Sequence, residues 1–512
     1  MTSKKMTYQE ALLDKNTFSV TWELVPGRGA NEKAQDSVLA LAQSAAEDPR
    51  INGITITDNP SGKPAIHPFP LAEELKEIDV EALIHFTCKD KNRNDIESEL
   101  HALERRGLSN LLVMTGDYTT EGFAGRPKPV FDVDCVQTIR MIEKMNAGLE
   151  IPAHKGTTHL KETHFFAGAV VSPFKSKEAE LMSQYYKLQQ KIDNGAKFII
   201  TQVGWDARKF DEVRRYMNKY DLNVPLIGNI YVLSMPVARM MNKNLIPGCV
   251  VTEQMMKDLQ DEKAEYKSNK ERQILRSAKL YAILKGLKFD GVTIAGHGLT
   301  YNDVKVILDK GEELSQNWEQ LVQEFDYPQE NGFYFFEKDE KTGLNTDTPV
   351  DRRKTGSKSN SLFYWSFGLV HKFALSDHAP LYPMIRWFAQ RIDRSFLKKP
   401  FTYFEYYTKT VTNECQFCGD CIMHELAFQC PMSQCAKHQR NGACGGSRDG
   451  WCEVYPGKKK CIYVNMYEKF KHSGKEYTMK IRNAPPNDWS LYKTSSWLNF
   501  FNKRDYNYRE KE

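Results

Sequence analysis

Residues 178–203, EAELMSQYYKLQQKIDNGAKFIITQV, join a helical pattern to a β-strand and represent the repeating unit of this chain. From Glu178 to Asn194 apolar side chains recur at intervals near 3.6 residues, whereas Phe198–Val203 is a short run rich in β-branched residues. Repetition of such a unit predicts parallel strands that are connected by helices.

Apolar runs of this kind recur along the first part of the chain. The eight runs are Phe18–Val25, Gly53–Thr57, Ala82–Cys88, Asn110–Asp117, Phe166–Val171, Phe198–Val203, Pro225–Val232 and Gly291–Gly296. Helical patterns separate them, for example at Asp95–Arg106, Val136–Met145 and Phe210–Tyr220. Eight units over roughly 290 residues predict an α/β fold, a closed (β/α)8 TIM barrel, rather than an open doubly wound sheet. No Gly-x-Gly-x-x-Gly follows a strand, so a Rossmann dinucleotide site is not predicted.

Polar residues lie inside or directly after five of these runs, at the end of the strand where a barrel carries its active site. The residues concerned are Glu23, Thr57, Asp58, His85, Thr87, Thr115, Gly116, Asp117, Thr201 and Gln202. A carboxylate in an apolar run is costly unless it is hydrogen-bonded or used. One such residue is more often structural, but five strands together predict a functional site.

The cysteines are concentrated near the C-terminus. Eight of the eleven fall within 47 residues, and these are Cys415, Cys418, Cys421, Cys430, Cys435, Cys444, Cys452 and Cys461. The first three, with two residues between neighbours, and the later Cys-Pro pair resemble the iron–sulfur run of bacterial ferredoxins, although the interval before Cys430 is longer. Eight thiolates predict two four-cysteine sites: two [4Fe-4S] clusters, two zinc sites, or one of each. The spacing does not determine how the ligands are grouped.

The composition is that of a soluble globular protein, with 41% hydrophobic and 27% charged residues among 512. A formal charge of +5, with basic and acidic residues mixed, gives no electrostatic case for binding nucleic acid. The N-terminus has no apolar signal segment and no run is long enough to span a membrane, so we expect a cytoplasmic protein without structural disulfides. Cys88, Cys135 and Cys249 stand alone in apolar surroundings and are expected to be buried.

The pattern changes after the barrel. We assign residues 1–312 to the barrel domain, 313–400 to a linker and a helical, aromatic packing region, and 401–512 to a cysteine-rich metal-binding domain. Residues 326–361 are rich in charge, Gly, Ser and Thr, which predicts a surface excursion. Residues 362–393, LFYWSFGLVHKFALSDHAPLYPMIRWFAQRID, predict helices that pack the cysteine module against the barrel.

From about residue 16 to 312 the chain resembles the methylenetetrahydrofolate reductases, flavoproteins built on a (β/α)8 barrel. The motifs that carry the resemblance are, in order, VTWELVPG, ITIT, ALIHFTC, NLLVMTGD, FFAGAVVSP, KIDNGAKFIITQVGWD and PLIGNIYVLS. The resemblance implies interconversion of 5,10-methylenetetrahydrofolate and 5-methyltetrahydrofolate, a step of one-carbon metabolism and methionine biosynthesis. It implies NAD(P)H or an electron-donating protein as the reductant, and it leaves open whether the protein is a homo-oligomer.

The resemblance also implies roles for individual residues. Glu23 matches the general acid that protonates N10 of the folate, Asp117 matches a carboxylate beside the flavin and the folate ring, and Gln202 matches a pterin contact. The cofactor-binding positions that it implies are Thr57, His85, Thr87, Thr115, Gly116, Asp117 and Lys191. FAD is implied ahead of FMN. The segments 170–173 and 185–190 depart from the best-known bacterial enzymes, which keeps FMN as the alternative.

The cysteine module resembles the C-terminal extension of some of these reductases and the small subunit of the acetogen-type enzymes, where it is associated with metal centres and electron delivery. The first hypothesis is therefore a reductase whose module relays electrons or docks a donor. In the second, the barrel takes hydride directly from NAD(P)H and the module holds structural zinc as an interaction platform. A third hypothesis, a zinc–thiolate methyltransferase acting on homocysteine, needs an open thiolate site at the barrel mouth, and these cysteines fall outside the barrel segment.

Overall fold

A computed structural model describes residues 6–265, 269–353 and 362–509. It contains a closed barrel of eight parallel strands: β1 Ser19–Leu24, β2 Ile51–Ile56, β3 Ala82–Thr87, β4 Asn110–Met114, β5 Phe166–Val171, β6 Ile199–Thr201, β7 Leu226–Tyr231 and β8 Gly291–Ala295. Each strand pairs with the next along the chain, and β8 pairs with β1. The predicted fold class is confirmed.

Helices precede, connect and follow the strands. They are α1 Tyr8–Leu13, α2 Lys33–Ala45, α3 Pro68–Glu77, α4 Arg93–Arg105, α5 Cys135–Asn146, α6 Glu178–Asp193, α7 Ala207–Lys219, α8 Met235–Asn242, α9 Glu253–Glu265, α10 Asn269–Gly286 and α11 Tyr301–Leu314. Their buried residues recur at helical spacing, as in Ile96, Leu100 and Leu103 of α4, and this is the stripe that packs on the barrel.

The interior of the barrel is filled by side chains rather than left as a channel. Eight buried residues form this inner cluster: Tyr8, Leu12, Leu83, Leu112, Phe166, Phe198, Ile200 and Ile227. Since Tyr8 and Leu12 belong to α1, the N-terminal helix closes one end of the barrel. Gly168 is required here, because a Cβ at that position would lie 2.2 Å from the Phe198 ring.

Two short hairpins lie outside the barrel, Glu150–Pro152 with Thr157–His159 and Phe336–Lys338 with Asn345–Pro349. The second follows the 3-10 segment Ser315–Phe325. Although the sequence predicts a surface excursion around residues 326–361, Phe335 and Phe336 are buried in the same core as the barrel helices. Arg208 of α7 also donates to the Phe336 carbonyl at 2.9 Å.

The C-terminal part is helical with long irregular loops. Its helices are α12 Leu362–Ala374, α13 Tyr382–Asp393, α14 Lys398–Asn413, α15 Pro431–Gln434, α16 Ile462–His472, α17 Thr478–Ile481, α18 Ser496–Phe501 and α19 Tyr506–Arg509, with 3-10 turns at Met423–Leu426 and Trp489–Leu491. Tyr463 and Met466 of α16 are buried in the barrel's own core cluster, so the two parts share one hydrophobic core. Within the described ranges, no helix combines the length and the apolar character needed to cross a membrane.

Candidate active site

Glu23 and His85 face each other at the carboxyl end of the barrel strands. Glu23 Oε2 lies 3.8 Å from His85 Nε2, and both side chains are largely buried. Burial raises the pKa of Glu23 to about 7, since a carboxylate is disfavoured away from water. Burial likewise lowers the pKa of His85 to about 4, against the opposing charge of Asp58. Near neutral pH the pair therefore consists of a neutral imidazole and a carboxyl that can hold or release a proton.

Thr87 is fixed by a carboxylate from the neighbouring strand end. Asp58 Oδ2 accepts hydrogen bonds from the Thr87 hydroxyl at 2.6 Å and from its backbone N–H at 3.2 Å. Lys91 Nζ lies 3.5 Å from the same oxygen and is paired with Glu99. Asp58, which the sequence places at this strand end, therefore holds Thr87, and Lys91, which the sequence analysis did not single out, lies beside them.

Several buried polar atoms near this end lack a hydrogen-bond partner within the described structure. They include Thr55 Oγ1 in β2, Thr57 Oγ1 directly after it, Ser172 Oγ directly after β5, and Asn229 Oδ1 in β7. Buried polar atoms are seldom left unsatisfied, so each indicates a group that is supplied from elsewhere. Their positions on different strands fit a polar ligand with several hydrogen-bonding edges, as a flavin or a pterin has.

Asp117 follows β4, and its Oδ2 accepts a hydrogen bond from the Ser61 backbone N–H at 2.8 Å. The glycine before it, Gly116, has φ +83°, and a Cβ there would lie 2.8 Å from Lys89, so this turn requires glycine. The buried thiol of Cys249 lies close enough to both carboxylates for their charges to act on it. Burial raises the pKa of this thiol to about 12, and the negative charges of Asp117 and Glu23 raise it as well. Asp117 and Glu23 therefore lie around one mouth.

The C-terminal domain reaches into this mouth. Lys437 Nζ donates to the Gly116 carbonyl at 2.8 Å and forms a buried ion pair with Glu453. Thr115 donates to Gln439 Oε1 at 3.1 Å. Burial lowers the pKa of the Lys437 ammonium, but neighbouring negative groups, chiefly Glu453 and also Asp117, outweigh this effect and hold the pKa above its usual value. Residues more than 300 positions away in the sequence thus contribute to the site, and no local pattern indicates this.

The remaining predicted residues occupy the barrel wall. Lys191 is 5% exposed and donates to the Val170 carbonyl, and burial lowers its pKa. Gln202 Oε1 accepts from the Val203 backbone N–H at 2.8 Å, and its amide nitrogen faces Gly248. Within the part of the chain that the structure describes, neither side chain is hydrogen-bonded to Glu23.

Helix α6 is covered by the C-terminal domain along its polar face. Lys187 Nζ donates to Gln439 Oε1 at 3.0 Å and to the Gly442 carbonyl at 3.1 Å. Gln184 donates to the Ala443 carbonyl at 3.4 Å, and Gln190 donates to the Met479 carbonyl at 2.8 Å. Three polar side chains of α6 are therefore bonded to the C-terminal domain, although Glu180 Oε2 and Gln190 Oε1 are buried without a hydrogen-bond partner in the described structure.

The eight clustered cysteines separate into two groups. In the first, Cys418, Cys421 and Cys430 pack together with Met423 and Met432. Cys415 belongs with them: burial raises the pKa of its thiol to about 11, and Cys421 and Cys430 lie close enough to add to the rise.

The second group consists of Cys435, Cys444, Cys452 and Cys461. Burial raises the pKa of Cys444 to about 12, with Cys435 acting in the same direction. Burial also raises the pKa of the Cys461 thiol, and Cys444 and Cys435 add to that rise. Burial raises the pKa of Cys435 as well, and Cys452 adds to it. Cys444 Sγ also lies 3.6 Å from Glu453, the partner of Lys437, so this group adjoins the barrel mouth.

All these cysteines are free thiols in the structure. Over the described ranges, no three His, Cys, Asp or Glu side chains stand in an arrangement that could hold a metal ion. Cys88, Cys135 and Cys249 are buried, as expected.

Two family profiles match the chain. Residues 8–286 match the family described as "Methylenetetrahydrofolate reductase", and residues 395–490 match "Methylene-tetrahydrofolate reductase C terminal". The first match covers more than half of the chain and includes seven of the eight barrel strands.

Two solved structures that match the chain have low sequence identity to it. One is an uncharacterised protein from Clostridium thermocellum that binds two copies of 5-methyl-5,6,7,8-tetrahydrofolic acid; it is 12% identical, with a TM-score of 0.42 over 60% of this chain and 99% of that one. Another is the apo form of a proposed deoxyribose-phosphate aldolase from Toxoplasma gondii, 14% identical, with a TM-score of 0.29 over 57% of this chain and 94% of that one. No curated protein sequence matches the chain.

Proposed function

Because this chain belongs to the methylenetetrahydrofolate reductase family, we propose that it is a flavin-dependent oxidoreductase that interconverts 5,10-methylenetetrahydrofolate and 5-methyltetrahydrofolate. The observation that carries the proposal is that Glu23, with its raised pKa, and Asp117 lie at the carboxyl ends of β1 and β4, both near the buried Cys249 thiol. A carboxyl that is protonated near pH 7 is the acid that opening of the folate ring needs.

Glu23 holds the proton that the folate N10 receives. Its proximity to a neutral His85 supports this role, because no cation within hydrogen-bonding distance of Glu23 draws the carboxyl toward its ionised form in the described structure. Asp117 is held by the Ser61 backbone N–H, so its carboxylate is oriented before a ligand binds. A fixed carboxylate at that position favours a cationic folate iminium electrostatically.

A flavin bound at this mouth would supply hydride transfer to the folate. The unpartnered Thr57 and Asn229 atoms fit its polar edges. Although the sequence favours FAD, the contacts of α6 favour FMN, because the polar residues Gln184, Lys187 and Gln190 are already bonded to the C-terminal domain. That leaves little of this helix for the adenosine half of FAD.

The two cysteine groups have the composition of two four-thiolate metal sites, with Cys415, Cys418, Cys421 and Cys430 in one and Cys435, Cys444, Cys452 and Cys461 in the other, although over the described ranges their side chains do not stand around a metal position. We favour iron–sulfur clusters over zinc because the second group adjoins Lys437 and the barrel mouth, where an electron relay would have to end. Structural zinc with direct use of NAD(P)H is the alternative.

Anaerobically purified protein tests the proposal. We expect one non-covalent flavin, released on denaturation as FMN, absorbance beyond the flavin bands that bleaches with dithionite, and turnover linked to methylenetetrahydrofolate. Metal-replete protein without flavin and without turnover with any donor would refute the proposed reaction. Zinc without iron would refute the relay and leave the barrel chemistry in place.

A further inference from the structure

Three consecutive helices, α12, α13 and α14, form a layer on the C-terminal domain, which we call the helical layer (residues 362–413). Its inner side packs on a small apolar cluster. The buried members of that cluster are Ala379, Tyr382, Ala389, Leu498 and Phe501. The layer therefore already has a core on one side.

The outer side of the helical layer is also apolar. On α12 the exposed residues Trp365, Leu369 and Phe373 recur every four positions, which is one helix face, and this face forms one wall of an open cleft of about 1190 Å³ whose other wall includes Phe470 and Arg482. Among residues 364–413 the exposed large apolar residues are Trp365, Leu369, Val370, Phe373, Leu381, Met384, Trp387, Phe388, Phe396, Leu397, Tyr403, Phe404, Tyr407 and Val411, which are between 44% and 87% exposed. Soluble monomers seldom leave so many large apolar side chains of neighbouring helices in water, so we expect a partner to cover them.

The charges on the helical layer are mainly positive. Its exposed cations, among residues 362–413, are Lys372, Arg391, Arg394 and Lys399. The exposed carboxylate in the same range, Asp377, accepts a hydrogen bond from the Tyr508 hydroxyl. Asp393 is paired with Arg504 and Lys398, and Glu405 is buried against Lys409. The face is therefore apolar and aromatic with a net positive charge.

The apolar, positively charged character of this face argues against two alternative partners, a second copy of the chain and an electron-carrying protein. A second copy would meet the same face across a two-fold axis and place like charges opposite one another. A transient electron-carrying protein uses a small interface, with the charged rim and modest apolar area of such contacts. By contrast, Trp, Tyr and Phe interleaved with Lys and Arg is the composition of helices that lie in the interface of an anionic bilayer.

We propose that the outer face of the helical layer binds the surface of an anionic lipid bilayer, with its helices lying in the headgroup region and not crossing the membrane. The proposal does not depend on the proposed reaction.

The docked face leads toward the first cysteine group. A cavity of about 330 Å³ between α12 and the rest of the C-terminal domain is lined by Val370, His424 and Cys421. Binding through this face places the first group on the membrane side of the protein and the second group on the barrel side.

Co-sedimentation of the full-length protein with vesicles tests the proposal. We expect binding to vesicles of phosphatidylcholine mixed with phosphatidylglycerol, weaker binding to phosphatidylcholine alone, and weakening by salt. Tryptophan fluorescence should shift to the blue on binding, because Trp365 and Trp387 leave water.

Matched variants locate the binding face. Phe396→Ser, at a position 87% exposed, should weaken partitioning by about fivefold. Phe123→Ser, at a barrel position 95% exposed, should have no effect. Arg394→Glu with Lys399→Glu should weaken binding to anionic vesicles by about tenfold or more, whereas Lys15→Glu with Lys305→Glu on the barrel should not.

Absence of binding to anionic vesicles would overturn the proposal, and so would binding that the layer variants leave unchanged. Light scattering measures the oligomeric state without lipid. A dimer that dissociates in Phe396→Ser would show that a second copy of the chain, and not a bilayer, covers this face. Unchanged turnover of the soluble substrate in these variants would confirm that the face is distinct from the reaction site.

Discussion

Replacement of Glu23 by Gln tests the central chemical assignment, because it keeps the shape of the side chain and removes the proton. With a pKa of about 7, about half of the Glu23 carboxyl is protonated at pH 7, against roughly one part in 300 at the ordinary value of 4.5. General acid catalysis of this kind contributes about 10² to 10⁴ in rate. Reduction of methylenetetrahydrofolate should therefore fall by about 10² or more in Glu23→Gln, while reduction of the bound flavin stays nearly unchanged.

The sign of the pH dependence follows from the direction of the shift. A carboxyl whose pKa is raised carries its proton below that pKa and loses it above. In the unaltered protein the folate step should be level on the acid side and fall about tenfold per unit above about pH 7. His85, with its pKa lowered to about 4, stays neutral through this range, so its titration does not change the rate of the folate step there.

Anaerobic stopped-flow measurement of the two half-reactions provides the assay. Glu143→Gln is the matched control. Glu143 lies on α5, away from Glu23, and forms an ion pair with Lys197. Equal loss of rate in both half-reactions of Glu23→Gln would refute the general-acid role. A fall above pH 7 that persists in the variant would refute the assignment of that proton to Glu23.

Four further substitutions probe the rest of the site. Asp117→Asn should shift the flavin potential and slow folate turnover together, measured by redox titration and steady-state rates; a change in only one would separate the two roles. Cys418→Ala and Cys444→Ala should each lower the metal content of anaerobic protein by one site, and unchanged content in either would reject that ligand. Lys437→Met leaves Glu453 buried without its partner and should lower the free energy of unfolding by about 3 kcal/mol or more, with recovery in Lys437→Arg; equal stability of the two variants would show that the ion pair does not matter.

The sequence predicted the barrel well because its strands are signalled locally. The run containing His85 became β3, and the run ending at Asp117 became β4, within a few residues of the predicted bounds. The same logic placed Glu23 at a strand end, since the side chains of a parallel barrel meet at one edge. Periodicity is a property of neighbouring residues, and it needs no knowledge of distant ones.

The parts that could not be predicted depend on contacts between distant segments. Lys437 reaches Gly116 across 321 positions, and its own surroundings in the sequence give no sign of it. The grouping of the cysteines likewise depends on how loops fold back. Phe335 and Phe336 are the opposite case: their neighbours are charged and glycine-rich, which predicts a loop, yet the two rings are buried.

The contacts of Lys437 and Gln439 with the barrel mouth have a consequence for assembly. A segment that is covalently attached meets its partner at an effective concentration on the order of millimolar for a short connection, so its docking does not depend on how much protein the cell contains. The interface can then be polar and modest in affinity and still be formed in nearly every molecule. Separation of the same two parts into individual chains would make an intact site depend on dilution, and the fused chain is free of that dependence.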